Sequence, residues 1–353
     1  MIWLTWRQLR TGAVTVAAAL AALAAVLALT GPGLAHDYSA AIAACAGPGG
    51  PCSAVARFFD HNQMAWLAVT ALVLVLPALV GAFWGAPLVS RELEAGTHRL
   101  AWCQSITRTR WLAVKLGVTG LAAAAAAGLC SLAVTWWAGP LDRSGDMARI
   151  EPLVFAARGI VPAAYAAFAV ALGATAGLLI RRPLPAMAVT LVLFVAAQIA
   201  MPILVRPHLL SPTRSTVAIS VADVDRFTFG ADHVLRVDAS AAPRGAWVLS
   251  SHAVDPSGRP VSPITIAAAS GPCARPGSPG GPADSPPEAT DPNNDPLVTG
   301  CLAELQRLGY RVESTYHPGG RFWAFQWYEA GIYTLAALGL AAVCFWRIRR
   351  VPS

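Results

Sequence analysis

Six long stretches of apolar residues constrain the fold of this chain more than any other feature of its sequence. Each reaches the about 20 residues that an α-helix needs to cross the hydrocarbon core of a bilayer. Within them only Lys115 and Glu329 carry a formal charge, and each lies near an end of its stretch. Soluble core helices are rarely as long or as free of charge. We therefore predict six transmembrane helices, at residues 11–34, 64–89, 112–139, 159–180, 184–205 and 324–346.

The distribution of basic residues predicts the orientation of these helices. With a cytoplasmic N-terminus, the short inner segments hold twelve basic residues and the short outer loops hold four, which is the bias of the positive-inside rule. The inner twelve are Arg7, Arg10, Arg91, Arg99, Arg108, Arg110, Lys115, Arg181, Arg182, Arg347, Arg349 and Arg350. The net charge of +7 follows from this arrangement and does not indicate nucleic-acid binding, because the basic residues lie at helix ends. Both termini are therefore predicted to be cytoplasmic.

The chain divides into four predicted parts. Residues 1–10 (MIWLTWRQLR) resemble an interfacial helix, because apolar residues share one face and Trp and Arg suit the headgroup region. An ordinary basic cap on the first span is the alternative. Residues 11–205 hold the first five spans, residues 206–323 an extracytoplasmic domain, and residues 324–353 the sixth span with a basic cytoplasmic tail.

The segment at residues 206–323 is too polar to enter the membrane. It combines short alternating apolar runs, a stretch rich in Pro and Gly, and a short amphipathic segment that ends at Gly309. This pattern predicts a small α+β domain. The predicted fold class is therefore an all-α polytopic membrane protein with six transmembrane helices and a small α+β extracytoplasmic domain between helices 5 and 6.

Four of the seven cysteines fall in predicted outer segments. Cys45 and Cys52 lie in the first outer loop, and Cys273 and Cys301 lie in the large one. An even number of cysteines in an oxidising compartment fits two disulfides. Pairing within each segment is favoured, because the GPGGP run between Cys45 and Cys52 can bend the chain. Pairing between the segments and free thiols are the alternatives.

Small residues four positions apart predict close helix packing. The second span contains Gly81-x-x-x-Gly85, and the fourth contains Gly173-x-x-x-Gly177. Such spacing lets helix backbones approach closely in lipid. The motifs fit packing within one chain and also fit dimerisation.

Catalytic motifs are absent from the sequence. It has no G-x-x-x-x-G-K-[ST], no H-E-x-x-H and no G-x-S-x-G, and its single lysine is Lys115. We therefore expect no enzyme activity, cofactor or metal in this chain. The scarcity of ionisable groups in the spans argues against a proton-driven carrier. Glu329 and Gln198 are the candidate gating or substrate residues, with a hydrogen bond near the interface and interhelical packing as their respective alternatives.

The loop at residues 90–115 carries the most specific pattern. It reads SRELEAGTHRLAWCQSITRTRWLAVK, in which Glu92 and Glu94 precede Gly96 and Thr97, and basic residues beginning with Arg99 follow. Long uncharged helices flank it. Acids, a glycine and then basic residues form a compact charged segment that another protein can bind.

This loop resembles the coupling helix of permease subunits of type-2 ATP-binding-cassette (ABC) exporters. That family has six spans after an N-terminal interfacial helix and a motif similar to Glu-x-x-x-Gly-x-x-Arg after the second span. Glu92, Gly96 and Arg99 stand at that spacing, and Glu94 to Thr97 reproduce the E-x-G-T form. The large insert before the last span resembles that of actinobacterial members.

The resemblance implies a transport function and partners. A separate cytoplasmic ABC ATPase would hold the ATP and bind the loop, in which Glu92, Glu94 and Arg99 make charged contacts, Gly96 permits the bend and Thr97 completes the motif. A second permease subunit is expected, as a homodimer, because six spans make half such a transporter. The setting is the bacterial plasma membrane, with lipid and not nucleic acid as the other partner.

A membrane sensor or envelope scaffold is the alternative function. It would act through the extracytoplasmic domain and would not transport. The disulfide-bearing segment favours it, but a sensor needs no coupling helix between the second and third spans.

Overall fold

The computed structural model of this chain consists of two compact units. The helical unit contains the first helix, Ser53–Leu209 and Phe322–Ser353, and the mixed unit contains Leu210–Arg321. The residues that the structure describes are 2–45, 53–94, 107–144, 147–220, 224–229, 234–239, 242–243, 245–261, 264–267, 273 and 296–350.

The described residues contain six helices that are long and apolar enough to cross a membrane, which confirms the six predicted spans. These span candidates are Val14–Ala44, Ser53–Glu94, Arg108–Ala138, Val161–Ile180, Pro183–His208 and Gly319–Arg350. Each is uncharged over most of its length, so burial in lipid stabilises it.

The first helix, α1, runs from Ile2 to Ala44. The predicted boundary after residue 10 is therefore not a helix end, because no proline interrupts the chain before Pro32. Pro32 itself is accommodated within α1. The interfacial position of residues 1–10 stays a prediction.

The second span has three segments. α2 covers Ser53–Val80, a π-helical turn covers Gly81–Gly85, and α3 covers Pro87–Glu94. The third span, α4, covers Arg108–Ala138. Thr107 caps its start, and the Thr107 hydroxyl accepts a hydrogen bond from the Arg110 backbone N–H at 3.4 Å. Helix therefore occupies both ends of the predicted 90–115 loop.

The remaining helices complete the helical unit. α5 (Leu141–Ser144) and α6 (Pro152–Phe155) are short and lie between the third and fourth spans. The fourth span is α7 (Val161–Ile180). The fifth is α8 (Pro183–Ala200), which continues as a π-helical turn and a 3₁₀ turn as far as His208.

The glycine motifs of the second and fourth spans pack against each other. A Cβ atom at Gly81 would lie 2.7 Å from the Cβ of Ala169, and one at Gly173 would lie 2.6 Å from the backbone nitrogen of Ala86. No side chain fits at such distances, so the two backbones are in direct contact. The predicted close packing is confirmed, and it occurs within one chain.

The mixed unit contains two antiparallel sheets and a helix. The four-stranded sheet has the order β1-β7-β4-β5 and the three-stranded sheet the order β2-β3-β6. The strands are β1 (Thr213–Ala218), β2 (Val224–Phe229), β3 (Val234–Ala239), β4 (Trp247–Val254), β5 (Pro260–Val261), β6 (Ile264–Ala267) and β7 (Arg311–His317). The helix, α9, is Pro296–Arg307. A small α+β unit is thus present between the fifth and sixth spans, and its extracytoplasmic position stays a prediction.

A disulfide joins Cys273 to Cys301 of α9 in the mixed unit. Cys45 is also disulfide-bonded, whereas Cys52 lies outside the described residues. Gly309, with a φ of +82°, ends the turn after α9, where glycine is the residue that adopts a positive φ without strain.

The last span, α10, covers Phe322–Arg350. Its first turns expose Trp323, Trp327 and Tyr328, whose exposed fractions all exceed one half. Large exposed aromatic rings at the start of an apolar helix fit the interfacial belt of a membrane protein.

Candidate functional site

An ion pair connects the end of α3 to the start of α4. The Lys115 ammonium donates a hydrogen bond to Glu92 Oε1, and the two side chains are 6% and 20% exposed. The ammonium also lies 4.9 Å from the centroid of the Trp111 ring. An unpaired buried charge costs several kcal/mol, so Glu92 is the partner that makes this lysine tolerable. The pair fixes the orientation of α3 relative to α4.

An apolar cluster surrounds this ion pair and joins four helix ends. Its fully or nearly fully buried members come from α3, α4, α7 and α10, and they are Val89, Trp111, Leu112, Leu178, Cys344 and Ile348. The cluster therefore packs α3 against the ends of three other helices.

The acidic residues of the predicted coupling motif have different surroundings. Glu94, like Arg91, is exposed at the end of α3. Glu92 points into the protein and binds Lys115. The other three predicted coupling residues, Gly96, Thr97 and Arg99, lie outside the described residues. Within the described part of the motif, Glu94 is thus available to a partner protein, and Glu92 holds α3 in place.

A second buried ion pair lies at the opposite ends of the spans. Arg206 Nε and Nη2 donate hydrogen bonds to Glu329 Oε2 at 2.8 Å and Oε1 at 3.0 Å, and the Tyr165 hydroxyl donates to Glu329 Oε1. Neither charged side chain exposes more than 1% of its surface. The guanidinium group also lies 4.1 Å from the centroid of the Phe155 ring. A bidentate pair of this kind is strong and directional, and it connects the fourth, fifth and sixth spans.

A third ion pair fastens the segment between the third and fourth spans to the second span. Arg158 Nε donates to Asp142 Oδ2 at 3.0 Å, and its Nη2 donates to Asp142 Oδ1 and Thr70 Oγ1, both at 3.2 Å. Trp66 Nε1 donates to the same carboxylate at 2.8 Å. The Asp142 and Arg158 side chains are 2% and 0% exposed. This segment, which the predicted topology makes an outer loop, is therefore part of the packed core.

Gln326 of α10 forms hydrogen bonds with the end of the segment between the third and fourth spans. Its Oε1 accepts hydrogen bonds from the backbone N–H groups of Ile160 and Val161, at 2.9 and 3.1 Å. Its Nε2 donates to the carbonyl oxygens of Phe155 and Arg158, at 3.2 and 3.0 Å. One amide thereby satisfies two N–H groups at the start of α7, which have no partner within the helix.

The two candidate gating residues have different environments. Glu329 is the centre of the Arg206 and Tyr165 hydrogen bonds. Gln198 is half-buried, and its Nε2 donates no hydrogen bond to any residue in the described part of the chain. A gating or substrate role for either residue stays a prediction.

Sequence reasoning did not identify the partners of these buried acids. Arg206 falls in the predicted extracytoplasmic domain, and Asp142 and Arg158 fall in the short outer loop between the third and fourth predicted spans. The sequence does contain one signal for Arg206, since it directly follows the fifth apolar stretch and Glu329 lies near the start of the sixth. Consecutive antiparallel spans bring those two ends to the same side of the membrane.

The buried charged groups of the helical unit form ion pairs that join helices. The described residues contain no group of three or more His, Cys, Asp or Glu side chains that could hold a metal ion. Glu92, Gln326 and Glu329 each bind a polar group of another helix or connecting segment. Such pairing is typical of a protein whose helices must keep a defined arrangement in lipid.

Comparison with known proteins assigns the chain to a family. No curated protein and no solved structure matches it. A family model described as ABC-2 membrane transporter related matches residues 17–206, which is more than half of the chain. The match covers nearly all of the first five spans and includes the Glu92–Lys115 pair, and it ends at residue 206, before the mixed unit begins at Leu210. The chain therefore belongs to the ABC-2 membrane transporter related family and is a transporter permease.

Proposed function

We propose that this chain is the transmembrane permease subunit of an ABC exporter, driven by a separate cytoplasmic ATPase that binds the 90–115 loop. The observation that carries the proposal is the geometry of α3. This helix continues the second span through the Gly81–Gly85 turn and ends with exposed Arg91 and Glu94. A charged helix end that extends from a span is a surface that a partner protein can bind and displace.

The contacts of α3 explain how such a movement would reach the membrane. Glu92 and Lys115 join α3 to α4, and Val89 belongs to the cluster that includes the ends of α7 and α10. The second span is also in backbone contact with the fourth at Gly81 and Gly173. A displacement of α3 by the ATPase would therefore shift several spans together. Glu92 acts here as a positioning residue and Glu94 as a contact residue.

The cofactor and the partners follow from this role. ATP is bound by the ATPase, since the sequence has no phosphate-binding loop of its own. Two copies of this chain form the transport pathway, because six spans make half of such a transporter. The transporter lies in the bacterial plasma membrane with both termini in the cytoplasm and the mixed unit outside.

Charge reversal at Glu94 tests the proposed ATPase contact. We expect Glu94→Arg to abolish recovery of the ATPase in a pull-down of the tagged full-length chain from native membranes, because it places like charges at the contact. Asp60→Arg is the matched control, since Asp60 is an exposed acid at the other end of the same span. Equal amounts of both variants in the membrane show that insertion is intact.

The outcomes separate the role of α3 from general charge effects. Normal ATPase recovery by Glu94→Arg would contradict the coupling role of α3. Loss of the ATPase by Asp60→Arg as well would show that ATPase binding depends on the overall surface charge and not on α3. This result would also contradict the coupling role.

The orientation has its own test. Cysteines placed at residues 60 and 94 are exposed at opposite ends of one span. In intact cells we expect a membrane-impermeant maleimide to label the cysteine at residue 60 and not the one at residue 94. The reverse labelling would place both termini outside and contradict the proposed topology.

A further inference from the structure

The end of the helical unit that holds Glu92 and Lys115 carries several exposed arginines. One apolar cluster joins four helix ends there, and each of these helices has an exposed arginine within one turn of its cluster residue. The cluster residues concerned are Val89, Leu112, Leu178 and Ile348, and the neighbouring arginines are Arg91, Arg110, Arg181 and Arg349. All four arginines therefore lie on one face of the molecule.

We call the exposed arginines of this face the arginine rim. It consists of Arg91, Arg110, Arg181, Arg182, Arg347, Arg349 and Arg350. In the described part of this face, Glu94 is the exposed acid, and Glu92 is engaged by Lys115. No rim arginine forms an ion pair with a described residue. The rim therefore presents a large excess of positive charge.

The length of α7 places the rim at headgroup depth. α7 has 20 residues, from Val161 to Ile180, and therefore spans about 30 Å, the thickness of the hydrocarbon core. Arg181 and Arg182 follow directly. Trp346 is 51% exposed, and the Arg350 guanidinium lies 4.3 Å from the centroid of its ring. An exposed indole beside arginines is typical of the membrane interface.

The backbone at Arg181 is a second, independent signal. With a φ of 60°, Arg181 is the one non-glycine residue in a left-handed conformation among the described residues. It caps α7, and its N–H donates to the Gly177 carbonyl at 3.0 Å. Glycine is the usual residue at such a helix end because it has no Cβ to strain. An arginine at a strained position points to a use for its side chain.

We propose that the arginine rim, including the Arg181–Arg182 turn, binds the phosphate groups of anionic phospholipids. Guanidinium groups bind phosphate through two parallel hydrogen bonds, and basic residues beside a span attract anionic headgroups. This lipid site is additional to the proposed function and does not require the ATPase, because lipid occupies the same depth whether or not the ATPase is bound.

The test compares lipid retention by the full-length chain and two double variants. Each is purified in mild detergent with equal amounts of phosphatidylglycerol and phosphatidylcholine, without ATPase, and the retained lipids are measured by native mass spectrometry. The rim variant is Arg181→Gly/Arg182→Gln. The control is Arg57→Gln/Arg143→Gln, which removes the same charge from two exposed arginines at the other end of the spans.

We expect the unmodified chain and the control to retain phosphatidylglycerol over phosphatidylcholine. The rim variant should lose this preference by a factor on the order of tenfold or more, and raising the salt concentration should weaken binding to the unmodified chain. The unfolding temperature of the rim variant should not fall, since glycine adopts the positive φ at residue 181 without strain. A purely structural role for Arg181 would leave the lipid preference unchanged.

Three results would overturn the proposal. Unchanged phosphatidylglycerol retention by the rim variant is the first. Equal loss by the rim variant and the control is the second, because it would reflect net charge alone. The third is a rim variant that retains the lipid but fails to recover the ATPase in a separate pull-down from native membranes, which would make the rim a protein-docking surface and leave the proposed function standing.

Discussion

Arg206 and Glu329 form a bidentate ion pair between residues at the two ends of the insert that contains the mixed unit. Arg206 lies at the end of the fifth span, and Glu329 lies in the second turn of the sixth, with Nε and Oε2 2.8 Å apart. Both belong to the helical unit, whereas the mixed unit begins at Leu210 and ends at Arg321. The pair therefore holds the two spans together at the points where the chain leaves and re-enters the helical unit.

Removing the charge of Glu329 should destabilise the protein strongly. Glu329→Gln leaves the Arg206 guanidinium buried without a counter-charge, which costs about 3–5 kcal/mol. Denaturant unfolding of the purified chain in detergent measures this change. Asp60→Asn, at an exposed acid, should change the unfolding free energy by less than about 0.5 kcal/mol.

Replacing the whole pair should cost less than removing one charge. Arg206→Leu/Glu329→Leu leaves no buried charge, so it should recover part of the loss seen in Glu329→Gln. A Glu329→Gln protein as stable as the unmodified chain would mean that the two side chains are separated and hydrated.

Much of this fold follows from the sequence alone. The apolar stretches identify six spans because length and absence of charge are sufficient for that purpose, and the glycine motifs correctly indicate close packing. The buried polar contacts do not follow in the same way. Asp142 and Arg158 look like surface residues in the sequence, because their burial depends on Trp66 and Thr70 of a distant helix.

In the coupling motif, the sequence likewise does not reveal which polar residues are buried. Glu92 and Glu94 are both acids in a charged loop, and the sequence does not distinguish their roles. In the structure Glu92 is bound to Lys115, while Glu94 is exposed. Lys115 is 23 residues away along the chain, so the difference arises from tertiary packing of α3 on α4.

The packing of α3 on α4 predicts energetic coupling between Glu92 and Lys115. A double-mutant cycle of Glu92→Gln and Lys115→Met should give a coupling free energy of about 1 kcal/mol or more, because both groups are largely buried. Unfolding in detergent provides the measurement. The more exposed Glu304–Arg307 pair is the control, and its coupling free energy should be smaller. Additive effects at residues 92 and 115 would show that the pair does not hold α3.

The contact between the second and fourth spans predicts that one added methyl group lowers the free energy of unfolding. Gly177→Ala places a Cβ against the carbonyl oxygen of Ala86, and such overpacking costs about 1–3 kcal/mol. Gly120→Ala is the matched control, since a Cβ there meets nothing within 4 Å. It should be neutral or stabilising by up to about 1 kcal/mol, because alanine favours helix. Equal effects at the two sites would contradict the packing.

The hydrogen bonds made by Gln326 predict a local effect on hydrogen exchange. Gln326→Met keeps the size of the side chain but leaves the Ile160 and Val161 N–H groups without a partner. An unsatisfied buried N–H group destabilises the protein by about 1–3 kcal/mol. The amide protons of Ile160 and Val161 should therefore exchange faster. Gln306→Met, which removes a hydrogen bond to Ile219 in the mixed unit, should leave those two amides unchanged. Unaltered exchange in Gln326→Met would mean that α7 is capped in another way.

The central claim is that this permease works with a separate ATPase, and a pull-down tests it most directly. The tagged full-length chain is recovered from native membranes in mild detergent, identified with its partners by mass spectrometry, and assayed for ATP hydrolysis. Recovery of a P-loop ATPase in stoichiometric amount, with ATP hydrolysis by the complex, is the predicted result. Recovery of the chain alone, or with envelope proteins and no ATPase, would contradict the account.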